Sequence, residues 1–400
     1  MNIYSDTFYD FVETHLNDDV SRLLLSASRY DENIDVRAAA LQIQCRQKTA
    51  HKLTPLLAHP RFIFPDLISA EQASDWRVAN YHACVIGGDK TIMDMTAGLG
   101  VDSIFLAGKG HQIISIDVDS NKADILRYNA NLLRLKNIDV LTGDSVKFFR
   151  DKSYHIDSIF IDPARRNQNN QRTYALSDCQ PDIVSIHREM LEMGMEVWIK
   201  ASPMLDVSAI RHKLSGISDI SCVSVEGECK EVLIHLVPDK LEKKLEYKAV
   251  DLDRSGGVKS DYTFCWNSKL APKVWPSQQL PDSGYIYRPN ASLMKLPAAG
   301  SLTSSFDSLW KIGLNTELYF SEIPYSDFPG DCYKMISKID KKSSKQLEGV
   351  RGIVISRNYP DDTSKLRKRL KIKEGDDNVF IGCKVGLKAK PALFRCSKNI

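Results

Sequence analysis

The stretch Thr91-Ile92-Met93-Asp94-Met95-Thr96-Ala97-Gly98-Leu99-Gly100 decides the reading of this chain: a short apolar run, an acid, then a turn carrying two glycines. A helix-compatible segment follows, and after it Gln112-Ile113-Ile114-Ser115-Ile116-Asp117, a second apolar run ending on a carboxylate. The pattern returns at Leu141-Thr142-Gly143-Asp144 and at Ser158-Ile159-Phe160-Ile161-Asp162, which continues as Pro163-Ala164-Arg165-Arg166. Apolar runs separated by helical segments predict an open parallel sheet with helices on its faces. Such α/β sheets bind ligands at the C-terminal edge of their strands, where this sequence is expected to present Asp94, Asp117, Asp144 and Asp162.

The residues at that edge narrow the ligand. Gly98 and Gly100 permit a tight turn and a close approach to the backbone. Asp117 lies 23 positions after Asp94, near the spacing at which a strand-end acid accepts hydrogen bonds from ribose hydroxyls. A dinucleotide site would use G-x-G-x-x-G to seat a pyrophosphate on a helix N-terminus. Here the turn reads D-M-T-A-G-L-G and runs into Val101-Asp102-Ser103, whose acid would repel a pyrophosphate. A nucleoside without phosphate is favoured. With Asp144 placed to receive an adenine amino group, S-adenosylmethionine fits better than NAD. The plain alternative is a doubly wound domain with acidic loop ends and no cofactor.

Taken in order, these four segments resemble the class I S-adenosylmethionine-dependent methyltransferases over roughly residues 91 to 237. The resemblance implies a Rossmann-like domain with a seven-stranded, mostly parallel sheet. It implies that the loop from Asp94 through Thr96 and Gly98 to Gly100 wraps the methionine part of the cofactor. Asp117, with Val118 beside it, would meet the ribose, Asp144 and Ser145 the adenine, and Asp162-Pro163-Ala164-Arg165 would face the methyl group.

Four hundred residues exceed one ordinary core, so several domains are expected. The chain is 43% apolar and 26% charged, values of a soluble globular protein. No apolar run approaches a membrane span. The start, Met-Asn-Ile-Tyr-Ser-Asp, lacks a basic region followed by an apolar one, so no secretion signal is expected. Nine cysteines without C-x-x-C spacing suit reduced thiols in a cytosolic protein, and no metal site is expected. The net charge of +3 is unevenly spread: residues 331–400 hold 18 Lys or Arg against 8 Asp or Glu, and residues 1–90 hold 9 against 12. A basic terminal region suggests an anionic partner such as nucleic acid, or simply a solvated lysine-rich face.

Four regions are expected: a helical one at 1–75, the Rossmann-like domain at 76–240, a small α+β domain at 241–322, and a basic domain at 323–400. Phe8, Phe11, Val12, Leu16, Val20, Leu23 and Leu24 recur at helical spacing, and a second helix is expected from about Asp35 to Lys48. Ser69 followed by Gln72 suggests a capped helix running through Trp76 and Tyr81 toward Ile86, making Gln72 and Ser74 candidate cofactor neighbours. A helix from about Pro181 to Met193, a strand at Glu196–Lys200 and an edge hairpin turning at Glu226-Gly227-Glu228 complete the sheet. Asn167 to Arg172 is polar and unpatterned, as loops over active sites often are. Farther on, Tyr285-Ile286-Tyr287 and Tyr319-Phe320 read as strands, and Ala291 to Lys295 and Ser305 to Ile312 as helical pieces. The last region reads as a strand at Gly352 to Ser356, a basic helix from Thr363 to Leu370 and a strand at Val379 to Gly382. Leu393-Phe394 would add an edge.

The tail also carries a resemblance. Val350-Arg351-Gly352-Ile353-Val354-Ile355-Ser356-Arg357-Asn358-Tyr359-Pro360 and Leu366-Arg367-Lys368-Arg369-Leu370, with D-P-A-R-R at Asp162 to Arg166 and Y-A-L-S-D-C at Tyr174 to Cys179, resemble bacterial methyltransferases with a C-terminal THUMP-like domain. This implies structured RNA, tRNA or rRNA, as a partner, with Lys365, Arg367, Lys368 and Arg369 toward it.

The acceptor chemistry is read after the fourth strand. D-P-A-R lacks the aromatic residue of D/N-P-P-F/Y/W, the motif of enzymes that methylate exocyclic amines. It is similar to the corresponding motif of RNA uracil-5 methyltransferases, which also carry S-C-N-P after the fifth strand and a glutamate in the final hairpin. Lys200-Ala201-Ser202-Pro203 and Glu231 stand at those places. Ala201 cannot supply the thiolate that carbon-5 chemistry requires, so uracil-5 methylation is disfavoured. Direct transfer to nitrogen or oxygen remains, with Asp162 orienting or deprotonating the acceptor and Arg165, Arg166 and Lys200 contacting the substrate. A protein or small-molecule methyltransferase, and an RNA-binding protein keeping this fold as a scaffold, are the alternatives.

Overall fold

The structure is a computed structural model, which describes residues 3–151, 154–164, 176–238, 244–267, 269–340 and 342–398. These divide into two compact units. The first comprises residues 1–226, 230–243 and 252–259; the second comprises 227–229, 244–251 and 260–400.

The first unit opens with five helices, α1 (Asp6–Thr14), α2 (Val20–Leu25), α3 (Val36–Thr49), α4 (Thr54–Leu57) and α5 (Leu67–Gln72), followed by α6 (Trp76–Val85). Short polar side chains start most of them. Ser5, Asp19, Asp35, Asp66 and Asp75 each accept a backbone N–H of the first turn, filling donors that a helix leaves unpaired. The single helix expected from Ser69 to Ile86 is therefore two. Asp66, not Ser69, caps the first, and the Ser69 hydroxyl donates to the Asp66 carboxylate. Ala73 turns extended (ψ 148°), which leaves Ser74 in the break, and Asp75 restarts the chain as α6. Of the apolar stripe expected from Phe8 to Leu24, Phe8, Phe11, Val12 and Leu23 are buried with Val36, Ala39, Ala40 and Ile43 of α3 and with Ile125, whereas Leu24 is exposed.

Strands and helices then alternate: β1 (Thr91–Asp94), α7 (Val101–Gly108), β2 (Gln112–Asp117), α8 (Ser120–Leu132), β3 (Ile138–Thr142), α9 (Ser145–Asp151), β4 (Ser158–Ile161), α10 (Ile183–Glu192), β5 (Glu196–Ala201), α11 (Val207–Ile210), β6 (Ile217–Val225) and β7 (Glu228–Leu236). In this unit the strand order is β3-β2-β1-β4-β5-β7-β6. β1 to β5 pair in parallel, and β7 runs antiparallel to β5. β4 is buried throughout and β1 nearly so, as expected of strands covered on both faces. The hairpin turns at Glu226 and Gly227, both with positive φ (52° and 82°), the geometry that matches the strand twist. α10 is capped by Asp182 and starts at Ile183, so Pro181 precedes the helix instead of opening it.

The second unit contains most of β8 (Glu246–Leu252) and of β9 (Val258–Cys265), and all of β10 (Tyr285–Pro289), α12 (Ala291–Lys295), α13 (Ala299–Ser305), β11 (Trp310–Gly313), β12 (Thr316–Ser321), β13 (Gly330–Lys338), β14 (Ile353–Arg357), α14 (Thr363–Leu370), β15 (Val379–Val385) and β16 (Lys390–Ser397). A seven-stranded sheet of order β11-β12-β10-β13-β16-β15-β14 forms its core, with Ile286, Leu318, Phe320, Tyr333, Ile381 and Phe394 inside. Two expectations are corrected here. The helical stretch at Ser305 to Ile312 ends at Ser305, and Trp310–Gly313 is a strand paired with β12. The segment around Leu393 is not an edge, because β16 pairs with β13 on one side and β15 on the other. The strand–helix–strand unit β14-α14-β15 is as expected, with β14 and β15 parallel. Among the described residues no helix is long and apolar enough to cross a membrane.

Candidate active site

The C-terminal edge of β1, β2 and β4 is tied together by backbone donors meeting side-chain acceptors. Gly98 donates its N–H to Oδ2 of Asp117 at 2.9 Å, and Asp162 donates its N–H to Oγ1 of Thr96 at 2.7 Å. The glycine turn after β1 is thus fastened to the ends of β2 and β4. Asp94 lies beneath it. Its carboxylate accepts from the Thr96 N–H at 3.1 Å and from the Ser103 hydroxyl at 2.6 Å. Burial raises this carboxyl to about 7 against the lowering effect of those two donors, with Asp102 and Asp162 adding repulsion.

The two glycines do different work. At Gly98 (φ +54°) a Cβ would meet only the Thr96 carbonyl oxygen, at 4.0 Å, so this face of the turn is open. At Gly100 (φ +80°) a Cβ would sit 2.1 Å from Cδ1 of Leu126. The close approach that requires glycine there is to helix α8, not to a ligand.

Behind the turn lies a buried ionic cluster that the sequence did not announce. His82 of α6, fully buried, has Nδ1 2.8 Å from Asp102 and Nε2 2.5 Å from Glu231. Lys200, at the end of β5, places Nζ 2.6 Å from Oδ2 of Asp162, 2.8 Å from Oγ of Ser74 and 3.7 Å from Oδ2 of Asp102. The Ser74 hydroxyl also bonds to Asp102. Burial would strip His82 and Lys200 of their protons, yet the flanking carboxylates prevail: His82 is lifted to about 9, and Lys200 is pushed above its ordinary range. Burial likewise opposes ionisation of Asp102, but Lys200, His82 and Ser74 hold it well below the usual carboxylate range. Asp102, read from sequence as an acid facing a ligand, instead turns inward. Ser74, read as a cofactor neighbour, bridges it to Lys200, and Gln72 is exposed at the end of α5.

Val118 directly follows Asp117 and is 77% exposed, a branched apolar side chain left open beside a carboxylate. Asp144 is exposed and accepts the Val146 N–H, with Ser145 buried next to it. Arg165 and Arg166, and the polar stretch from Asn167 to Arg172, lie outside the described residues. In the second unit the four basic residues of α14 differ in their bonding. Arg369 pairs with Asp361 at 2.8 Å and packs over Tyr359, and Arg367 reaches the Gly352 carbonyl at 3.4 Å. Lys365 sits 3.7 Å from Asp362, its own cap, and is largely exposed. Lys368 is exposed.

Comparison with known proteins completes this picture. Residues 285–329 match a family described as a ferredoxin-like domain, and residues 334–398 one described as THUMP domain-like. The crystal structure of a "putative methyltransferase" from Porphyromonas gingivalis W83 matches over 100% of both chains, with a TM-score of 0.83 and 25% identity. The ribosomal RNA small subunit methyltransferase J of Francisella philomiragia is 33% identical over 86 residues, 20% of this chain and 36% of that protein. An uncharacterized RNA methyltransferase of Mycoplasma mobile is 22% identical over 78 residues, 20% of this chain and 22% of that one. The chain therefore spans 22% to 36% of the length of these curated relatives. It has a class I methyltransferase fold and carries ferredoxin-like and THUMP-like domains.

Proposed function

We propose that the chain is an S-adenosylmethionine-dependent methyltransferase that modifies a base or ribose of structured RNA, of the tRNA or rRNA class. The observation that carries this reading is the fastening of Gly98 to Asp117 and of Thr96 to Asp162, which sets a nucleoside-type cradle beside a strand-end acid. The residues present fit the cofactor. Gly98 leaves open room over the turn, Asp117 retains lone pairs for ribose hydroxyls, and exposed Val118 offers an apolar face to a base. Asp144 with Ser145 would hold the adenine edge, and the loop from Asp94 to Gly100 the methionine part. The bound cofactor supplies a methyl group on a positively charged sulfur. Asp162 orients the acceptor atom, and Arg165 and Arg166 hold the substrate. Lys365 and Lys368 of α14 meet RNA phosphates, a role supported by the excess of cations over residues 331–400 (18 against 8) and by the THUMP domain-like match. The relatives' names, which concern RNA methylation, point the same way.

The test is calorimetric titration with S-adenosylmethionine, followed by nucleoside mass spectrometry of total RNA from a strain lacking this protein. Uptake of the cofactor and loss of one methylated nucleoside are the expected results. No uptake would leave an RNA-binding protein built on this scaffold.

A further inference from the structure

Lys200 was expected to touch the substrate, but its ammonium is hydrogen-bonded to Asp162 and Ser74 and ion-paired with Asp102 at 3.7 Å. Its side chain is 8% exposed. It therefore has little left to offer a phosphate. The acceptors are themselves held from behind, since Asp102 is bonded to His82, and His82 to Glu231. Asp162 differs from the others in facing outward, with 28% of its side chain exposed. Lys200 takes its Oδ2, and among the described residues Oδ1 has no hydrogen-bond partner.

We propose that Lys200 is a positioning residue that aims Asp162, and that the group aimed at is a nucleobase nitrogen bearing a hydrogen, whose N–H is accepted by Oδ1 of Asp162. The inference rests on the methyltransferase reading above and narrows its acceptor. A carboxylate that shares its charge with a buried ammonium is a weak base and a well-oriented acceptor. A ribose hydroxyl must give up its proton as it attacks, which asks for a stronger base than this. Carbon-5 of a pyrimidine needs a thiolate, and Ala201 stands at that strand end. A base nitrogen asks for the least. Its lone pair forms the new bond to the methyl carbon, and the carbon–sulfur bond breaks with its electron pair passing to sulfur. The nitrogen, now positively charged and strongly acidic, sheds one proton to Asp162 and from there to water. Orientation is then the main demand on the protein, and a misplacement of about 1 Å can cost on the order of 100-fold in rate.

The experiment measures tritiated methyl transfer from S-adenosylmethionine to total RNA from a strain lacking this protein, with the product identified by nucleoside mass spectrometry. The wild-type chain is expected to yield a nitrogen-methylated base. Lys200→Met is expected to lower kcat about 100-fold while the KM for RNA stays within about threefold. The rise in melting temperature on adding S-adenosylmethionine should be retained. Lys200→Arg, which keeps a cation, should recover about tenfold of that loss. Ser74→Ala removes one acceptor without removing a charge, so it serves if Lys200→Met does not fold; it should lower kcat about tenfold at unchanged KM. A carbon- or oxygen-methylated product overturns the proposal. So does a Lys200 variant whose RNA KM rises while kcat stands, which would make the lysine a phosphate contact. A wild-type chain that neither binds cofactor nor methylates RNA overturns the broader reading as well.

Discussion

Gly98 and Asp117 are joined by a 2.9 Å hydrogen bond from backbone N–H to carboxylate, so the turn after β1 and the acid ending β2 form one unit without any ligand. Asp117 also accepts the Asp119 N–H at 2.9 Å through its other oxygen. A carboxylate oxygen can accept two hydrogen bonds, so each has capacity for a second donor.

Asp117→Ala should thus remove the ribose acceptor and release Gly98 together. Hydrogen bonds to a charged group contribute roughly 1.5–3 kcal/mol each, so a loss of about 100-fold in S-adenosylmethionine affinity is expected by calorimetry. An unchanged dissociation constant would remove the ribose assignment.

Asp162→Ala separates chemistry from binding. The substitution leaves Lys200 in contact with Ser74 and Asp102, so the buried cluster keeps a counter-ion. Methyl transfer to RNA should fall to background while cofactor affinity changes by about threefold at most. Retained turnover would refute the orienting role of this carboxylate.

Gly98 and Gly100 should respond differently to alanine. Both have positive φ, which costs an L-residue about 1–2 kcal/mol. Gly100→Ala adds a clash with Leu126 that Gly98→Ala does not. The Gly100 variant should lose several kcal/mol in urea unfolding, and the Gly98 variant little more than the backbone strain.

Much of this edge was legible because its signals are local. Asp94, Asp117 and Asp162 each close an apolar run, and a strand's end can be read from the strand itself. His82 was not legible: its partners lie 20 and 149 residues away, and only the packing of α6 against α7 and β7 brings them together. Ser69 with Gln72 was expected to cap this helix, but Asp66, three residues earlier, accepts both the Ser69 N–H and the Ser69 hydroxyl and is the cap. Trp310 falls in the stretch from Ser305 to Ile312 expected to be helical, while pairing with β12, a tertiary contact, makes Trp310–Gly313 a strand. Leu393-Phe394 was expected to add an edge, yet β16 finds partners on both sides, pairings with distant strands that the local sequence does not carry.

The His82 cluster should leave a signature in the pH dependence of stability. Its folded value, about 9, lies above the ordinary 6.5. The stabilisation is therefore complete below about 6.5 and is lost as pH rises through about 9. His82→Gln keeps side-chain polarity but cannot carry the charge, so its melting temperature should fall well below wild type at pH 6–8. The gap should narrow between pH 8 and pH 10. The contribution of Asp94, raised by burial to about 7, is complete below about 3.8 and is lost as pH rises through about 7. Asp94→Asn should flatten that earlier slope and leave the later one in place.

The basic helix α14 offers a last test, because its cations are not equivalent. Lys365 and Lys368 are exposed at the surface, whereas Arg369 is committed to Asp361 and Tyr359, and Arg367 to the Gly352 carbonyl. A lysine that neutralises a phosphate releases about one counter-ion. Lys365→Ala and Lys368→Ala should each weaken binding to structured RNA and reduce the slope of log affinity against log salt by about 1 for a duplex. Both should melt as the wild type does. Arg369→Ala should instead unseat Tyr359 and leave Asp361 without its guanidinium, lowering the melting temperature with little change in the salt slope. If all three changed RNA affinity alike and none changed stability, the helix would be a uniform charged face, and the division between phosphate contacts and internal braces would fail.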